Sequence, residues 1–208
     1  SGKSLLLRCL KGLLQPKTGS IHILDEDLTH KAKQRMQAIG LVFQDAETQI
    51  VGQTVEKDIR FGMENLGLPK EVQENRLEEV LALLDLHKQR NQRPRTLSGG
   101  EKRRLAIAGL LVMDPRLLVL DEPFANLDYR SVVSVLSTLL RLQKAGHTII
   151  LVSHEVDKTL AHADHVLLLD DGHLVQSGTA VDVYPHLASH GIYLPSSAGI
   201  EELSWLKR

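Results

Sequence analysis

The 208-residue chain contains a single cysteine, Cys9, which excludes an intrachain disulfide and is typical of a reducing compartment. Its 25 lysines and arginines are balanced by 26 aspartates and glutamates, so the net charge of −1 provides no basic surface for nucleic acid. No apolar run approaches the roughly 18 residues of a membrane-spanning helix, and no signal peptide is visible. We therefore predict that any connection to a membrane runs through another subunit.

The segment at 97–101 predicts a helix start of an unusual kind. Ser98 and Glu101 fit the S-x-x-E capping box. Gly99 and Gly100 follow within the first turn, where each glycine costs roughly 0.5–1 kcal/mol relative to alanine. Backbone N–H groups without side chains at the positive end of a helix form an anion site, most naturally for phosphate. The alternative is an ordinary capped helix with incidental glycines.

Four apolar residues at 117–120, without alternation, predict a strand that is buried on both faces. Asp121 and Glu122 follow at its carboxyl end, where open α/β sheets bind ligands. Asp121 would hold Mg²⁺ directly or through water, and Glu122 would orient and activate an attacking water. The alternative is a pair of solvated loop residues.

The chain opens with the closing half of the phosphate-binding pattern G-x-x-x-x-G-K-[ST]. Gly2 belongs to this loop, Lys3 would reach the β- and γ-phosphates, and the Ser4 hydroxyl would ligate Mg²⁺. The tripeptide Gly2-Lys3-Ser4 alone is weak evidence for a P-loop, but its spacing ahead of the later motifs strengthens that evidence.

Together these motifs resemble those of the ATP-binding cassette (ABC) ATPases, with 97–101 similar to the signature motif and 117–122 to the Walker B strand. The resemblance implies an α/β fold, with a P-loop NTPase (RecA-like) core, a mixed, mostly parallel sheet and an inserted helical subdomain at 54–96. Residues 1–208 would form a single ABC ATPase domain that ends in a C-terminal tail at 179–208. The first part of the P-loop and the strands before it would be missing, so we expect the chain as given to bind ATP weakly or not to hydrolyse it.

Three further residues acquire roles from this resemblance. Gln44 would contact Mg²⁺ and the attacking water, and His154 would touch the γ-phosphate and hold Glu122 in position. Asp128 would lie in the loop that faces a second cassette, and it also fits a helix cap. ATP would lie between the P-loop of one cassette and Ser98–Glu101 of another, so the resemblance implies a homodimer or heterodimer.

Hydrophobic patterning predicts the remaining elements. Leucines from 5 to 14 predict an apolar helix face behind the P-loop. Strands are expected at 18–24, 38–43, 148–152 and 166–169, the last two being buried, with a helix at 129–145 forming a βαβ crossover. Residues 194–197 are expected to form a linker or loop.

The segment at 44–62 resembles the energy-coupling-factor (ECF) importers, although its Asp45-Ala46 dipeptide departs slightly from their usual Asn/Asp-Pro pair. The resemblance implies an ATP-hydrolysing subunit, with ATP and Mg²⁺ as cofactors, that powers uptake of cobalt, nickel or a vitamin. It would bind a transmembrane coupling subunit at the cytoplasmic face of the cell membrane. The alternatives are the ATPase of a conventional ABC importer, a soluble ABC ATPase of DNA repair or translation, and a non-catalytic remnant.

Overall fold

A computed structural model describes residues 2–194 and 199–206, which form seven α-helices and seven strands. In chain order these are α1 (Lys3–Lys11), β1 (His22–Ile23), β2 (Glu26–Asp27), α2 (Ala32–Ala38), β3 (Ile39–Val42), α3 (Val55–Asn65), α4 (Lys70–Leu83), α5 (Gly99–Leu111), β4 (Leu117–Asp121), α6 (Tyr129–Lys144), β5 (Thr148–Val152), β6 (Val166–Asp170), β7 (His173–Gly178) and α7 (Ala180–Leu187). Short 3₁₀ turns include Ala46–Gln49 after β3 and His87–Gln89 after α4.

A parallel sheet of β3, β4 and β5, in that order, forms the centre of the described structure. The apolar run at 117–120 lies in its middle strand, β4. Leu118, Val119 and Leu120 are at most 2% exposed, which confirms the predicted buried strand. Helix α6 connects β4 to the parallel strand β5, which confirms the βαβ crossover. The carboxyl ends of all three strands therefore lie at one edge of the sheet.

One continuous core joins the sheet to the helices on one of its faces. It combines apolar residues of α3 and α4, such as Ile59 and Leu81, with Leu105 of α5, Leu120 of β4 and Leu136 of α6. The stretch at 54–96 is helical, as expected, but it shares this core with α5 and α6. Its outer surface carries an ion-pair network in which Arg90 binds Glu56, Glu74 and Glu78.

The part of the chain after β5 forms a separate apolar cluster. Strands β6 and β7 pair antiparallel, and α7 packs on them through Val183 and Leu187. Leu203 joins the same cluster from the segment 199–206. The predicted C-terminal tail at 179–208 thus includes helix α7, whereas most of the predicted linker, residues 195–197, lies outside the described residues.

The segment 199–206 also contacts the loops that follow β4 and β5. The Trp205 ring lies 5.3 Å from the Tyr129 ring between centroids, and its Nε1 donates to Asp157 Oδ2 at 2.8 Å. Lys158 Nζ lies 4.7 Å from the Trp205 ring centroid and 5.9 Å from that of Phe124, and Lys158 is buried. Such cation–π contacts offset part of the cost of burying an ammonium group.

Several predicted elements were wrong in extent or environment. Helix α1 ends at Lys11 because Gly12 adopts φ +87° and its N–H binds the Cys9 carbonyl, so Leu13 and Leu14 lie beyond the helix. The expected strand at 18–24 is reduced to β1, which, within the part of the chain that the structure describes, pairs with the short β2 alone.

The two strands expected to be buried are half-exposed. Strand β5 is the end strand of the described sheet, and Ile150 is 37% exposed. Among the described residues, strand β6 pairs with β7 alone, and it exposes Leu167. Within residues 2–194 and 199–206, no helix combines the length and apolarity that crossing a membrane requires.

Candidate active site

A cleft of about 510 Å³ opens at the carboxyl edge of the sheet, where α1 begins and β3, β4 and β5 end. Crevices at this edge are the usual ligand sites of open α/β sheets. The lining combines residues at and after the start of α1 with residues at or just after the ends of the three strands: Gly2, Lys3, Ser4, Leu5, Arg8, Gln44, Asp121, Glu122 and His154. The structure thus brings together the predicted residues of the P-loop, the Walker B strand and the positions after β3 and β5.

Helix α1 presents its N-terminus to this cleft. Gly2 precedes the helix at φ +78°, a conformation that favours glycine, and among the described residues no side chain caps the helix start. Lys3 is the first helical residue. Backbone N–H groups at a helix start, with a lysine beside them, provide the donors and the charge that a phosphate group requires.

Ser4 and Asp121 meet inside the cleft, although 117 positions separate them. The Ser4 hydroxyl donates to Asp121 Oδ2 at 2.9 Å. A hydroxyl and a carboxylate are hard oxygen ligands of the kind that Mg²⁺ binds beside substrate phosphates. The pair therefore fits a magnesium ion, with the exposed Gln44, two residues after β3, as a third oxygen ligand on the same cleft.

Glu122 is held in a fixed direction by its backbone and its side-chain partners. Its φ of +46° is rare for a residue with a side chain, and its N–H donates to the Val152 carbonyl of β5 at 2.9 Å. Its carboxylate oxygens lie 2.8 Å from His154 Nδ1 and 3.3 Å from Ser153 Oγ. The Glu122 side chain is 14% exposed and that of His154 66%, so the carboxylate is sheltered while the ring faces solvent.

Helix α5 begins with the predicted capping box, away from the cleft. Ser98 Oγ accepts from the Glu101 N–H at 3.3 Å, and Glu101 Oε2 accepts from the Ser98 N–H at 2.7 Å. Burial alone would raise the pKa of Glu101, but hydrogen bonds from Ser98 and Gln89 hold it below its usual value. Ser98 and Gly99 are exposed, and none of the four residues from 98 to 101 lines the cleft.

The two glycines of this helix start also have a packing role that sequence reasoning missed. A Cβ at Gly100 would lie 2.9 Å from the Cβ of Ser131, and one at Gly99 would lie 2.8 Å from Leu127 Cδ2. Any side chain at Gly100 would therefore push α6 away from α5. The capping pattern alone gave no signal for this contact, because it depends on tertiary packing.

Asp128 caps α6, as its sequence context predicted. Its carboxylate accepts from the Ser131 N–H at 2.8 Å, and this interaction with Ser131 lowers the pKa of Asp128. Asp128 is exposed and lies outside the cleft. It shares this side of the molecule with Gly99 and Gly100, because Leu127 and Ser131 on either side of it contact those glycines.

Sequence reasoning missed three residues around this site. Arg8 adds a second basic side chain to the cleft, one helical turn beyond Ser4, and Ser153 contacts Glu122. The Arg103 side chain reaches the Phe43 carbonyl, next to Gln44, at 2.8 Å. Arg8 could have been found from its i, i+4 spacing to Ser4.

Comparisons with known proteins agree with this geometry. The sequence model of the family described as "ABC transporter" matches residues 1–125. The chain is 39% identical over 206 residues to the energy-coupling factor transporter ATP-binding protein EcfA2 of Lactococcus lactis subsp. lactis, covering 95% of this chain and 72% of the relative. It is 40% identical over 186 residues to EcfA of Methanoculleus marisnigri, covering 88% and 67%.

A solved structure extends the similarity to the fold. CbiO1 from Clostridium perfringens, described as part of the ABC transporter complex cbiONQ, superposes with a TM-score of 0.83 at 32% identity. The match covers 88% of this chain and 75% of CbiO1. With its family match, its relatives and its P-loop NTPase fold, the chain belongs to the ABC transporter family of ATP-binding proteins.

Proposed function

We propose that this protein binds and hydrolyses ATP with Mg²⁺ to power substrate uptake by a membrane importer of the energy-coupling-factor type. The observation that carries the proposal is the convergence of two pairs, Ser4 with Asp121 and Glu122 with His154, in one cleft. The first pair fits a magnesium ion and the second fits an activated water. ECF ATP-binding proteins among the relatives support the transport role.

The start of α1 would hold the phosphates of ATP. Gly2 and the N–H groups that follow it donate to phosphate oxygens, and the Lys3 ammonium balances the charge on the β- and γ-phosphates. Ser4 and Asp121 would hold Mg²⁺, with Gln44 as a further ligand. When bound, the metal neutralises negative charge on the phosphate oxygens.

Glu122 would orient the attacking water and accept its proton as the oxygen bonds to the γ-phosphorus. The hydrogen bond from His154 keeps the carboxylate on the cleft side. Because His154 lines the same cleft, its ring would also contact the γ-phosphate. Gln44 would contact the same water from the β3 side.

A second chain would complete the site. Ser98, Gly99, Gly100 and Glu101 lie outside the cleft, and the exposed helix start suits the phosphates of an ATP held by a partner. Asp128, exposed on the same side, would face that partner. We propose a homodimer or heterodimer of such subunits, attached at the cytoplasmic face of the membrane to a transmembrane coupling subunit, with no nucleic-acid partner.

The test uses the full-length protein, co-expressed with its membrane subunits and purified as a complex. We expect Glu122→Gln to lower kcat for ATP hydrolysis by about two orders of magnitude or more while ATP binding persists, because a general base is lost. Glu71→Gln, which changes an exposed carboxylate of α4, is the matched control. Unchanged turnover in Glu122→Gln would contradict the role of Glu122 as the general base. Copurification of a permease pair without a coupling protein would contradict the ECF assignment.

A further inference from the structure

Side chains cover the outer edge of β3, the end strand of the described sheet on this side. Lys11 Nζ donates to the Ile39 carbonyl, Gln49 binds Leu41 and Phe43, and Arg103 binds Phe43. The backbone groups of these alternate residues project from the same edge of a strand. Covering an edge in this way prevents it from pairing with another chain.

Gln49 takes the place that a neighbouring strand would occupy. Its Nε2 donates to the Leu41 carbonyl at 2.9 Å, and its Oε1 accepts from the Phe43 N–H at 2.8 Å. A residue of a parallel strand would bind this same pair of groups on either side of Val42. A carboxamide can do so because it carries a donor and an acceptor side by side.

Arg103 fixes the remaining polar group of Phe43. It extends from α5 and is 4% exposed, and its Nη1 donates to the Phe43 carbonyl at 2.8 Å. Burial lowers the pKa of Arg103, which reflects the cost of desolvating its guanidinium group. With its N–H held by Gln49 and its carbonyl by Arg103, Phe43 has a fixed peptide orientation at the point where the chain enters Gln44.

We infer that Gln49 is a positioning residue for Gln44, and that Arg103 supports it from the signature helix α5. Gln49 lies outside the cleft lining, so it would act through the backbone of Phe43 and not on ATP. This inference rests on the proposed role of Gln44 in contacting Mg²⁺ and the attacking water. Misplacing such a group by about 1 Å can cost up to about a hundredfold in rate.

A double-mutant cycle in the full-length protein tests the inference. Gln49→Met keeps the length of the side chain but removes both hydrogen bonds, and we expect it to lower kcat by about tenfold with little change in KM for ATP. In a Gln44→Ala background the same change should lower kcat no further. Thr48→Val, which removes the 2.7 Å hydrogen bond from Thr48 to the Asp45 carbonyl in the same segment, is the matched control and should retain wild-type kcat.

A second variant separates positioning from folding. Gln49→Glu lacks a donor when ionised, but its protonated form again carries one donor and one acceptor. We therefore expect its kcat, relative to wild type at the same pH, to rise as the pH falls through the pKa of the introduced carboxyl group, which partial burial raises and the nearby Arg103 guanidinium lowers. A purely structural defect would not recover in this way.

The outcomes distinguish this inference from the proposed function. If Gln49→Met lowers kcat equally with and without Gln44, or if Gln49→Glu does not recover at low pH, the positioning role is wrong and the ATPase assignment stands. If Gln44→Ala leaves kcat unchanged, both the role of Gln44 and the positioning inference are wrong. Glu122→Gln then still tests the ATPase itself.

Discussion

Ser4 and Asp121 reach the same point in the cleft from opposite directions, one from the first turn of α1 and the other from the end of β4. Neither oxygen would be an effective magnesium ligand alone, because a hydroxyl carries no charge and a single carboxylate leaves most of the coordination shell to water. Their separation of 2.9 Å allows both oxygens to serve one ion together with substrate phosphates.

Ser4→Ala should raise the Mg²⁺ concentration that gives half-maximal ATP hydrolysis by about 10- to 150-fold, because contacts to charged groups are worth roughly 1.5–3 kcal/mol. Asp121→Asn should raise it further because the charge of the ligand is also lost. Titrating Mg²⁺ at saturating ATP measures both effects, with Ser20→Ala, an exposed serine, as control. An unchanged Mg²⁺ requirement in both variants would contradict the assignment of Ser4 and Asp121 as magnesium ligands.

Single residues also show which parts of the site could be predicted. Asp121, Glu122 and His154 follow apolar runs, so their position at the carboxyl edge of a parallel sheet follows from the strand pattern. The positive φ of Glu122 and the bonds of Gln49 could not be predicted, because they depend on β5 and β3 being in place. Their roles in catalysis stay predictions.

Two helices of the molecule begin with the same capping motif. Helix α5 starts with Ser98 and Glu101, and α7 starts with Thr179 and Asp182, each as a complete capping box. The α5 cap adjoins two glycines that are packed against Leu127 and the first turn of α6, whereas α7 packs on the β6–β7 hairpin. The capping box therefore lies beside a proposed ligand site in α5, whereas in α7 it stabilises the helix start.

This pair of caps gives a matched test. Ser98→Ala and Thr179→Ala should each lower the free energy of unfolding by about 1 kcal/mol, because each leaves a helix N–H group without its cap. Only Ser98→Ala should also lower kcat for ATP hydrolysis. Denaturant unfolding and steady-state turnover measure the two effects. Equal kcat values in the two variants would mean that the α5 cap has no role beyond stability.

Among the elements, prediction succeeded where one local pattern was sufficient. The crossover α6–β5 followed from the helical spacing and apolar run at 129–152, and the start of α5 followed from its capping box. It failed for α1, where leucines continue past Gly12 although the helix ends at Lys11. It also failed for β6, because an apolar run does not tell a central strand from a two-stranded hairpin.

At the scale of the molecule, the segment 199–206 connects parts that are remote in sequence. Through Trp205 it contacts Tyr129, the residue after Asp128, and Lys158, four residues after His154. Leu203 anchors the segment in the β6–β7–α7 cluster. The loops that carry Asp128 and His154 thus share one packing partner, and a displacement of either loop would change the surroundings of the Trp205 ring.

Trp205 is the only tryptophan of the chain. The intrinsic tryptophan fluorescence of the protein therefore comes from this one ring. In Glu122→Gln, ATP with Mg²⁺ should shift the emission of Trp205, because closure of a second chain over Asp128 moves the exposed Tyr129 ring and changes the polarity around the indole. Fluorescence titration measures the shift, and Trp205→Phe should abolish it.

The fluorescence of Trp205 can also contradict this prediction. An emission spectrum that stays unchanged while nucleotide binding and dimer formation are observed by independent means would show that the Asp128 loop does not move on assembly. A shift would allow the assembly of two subunits around ATP to be followed in real time, without a label, from the fluorescence of a single ring that is not part of the cleft lining.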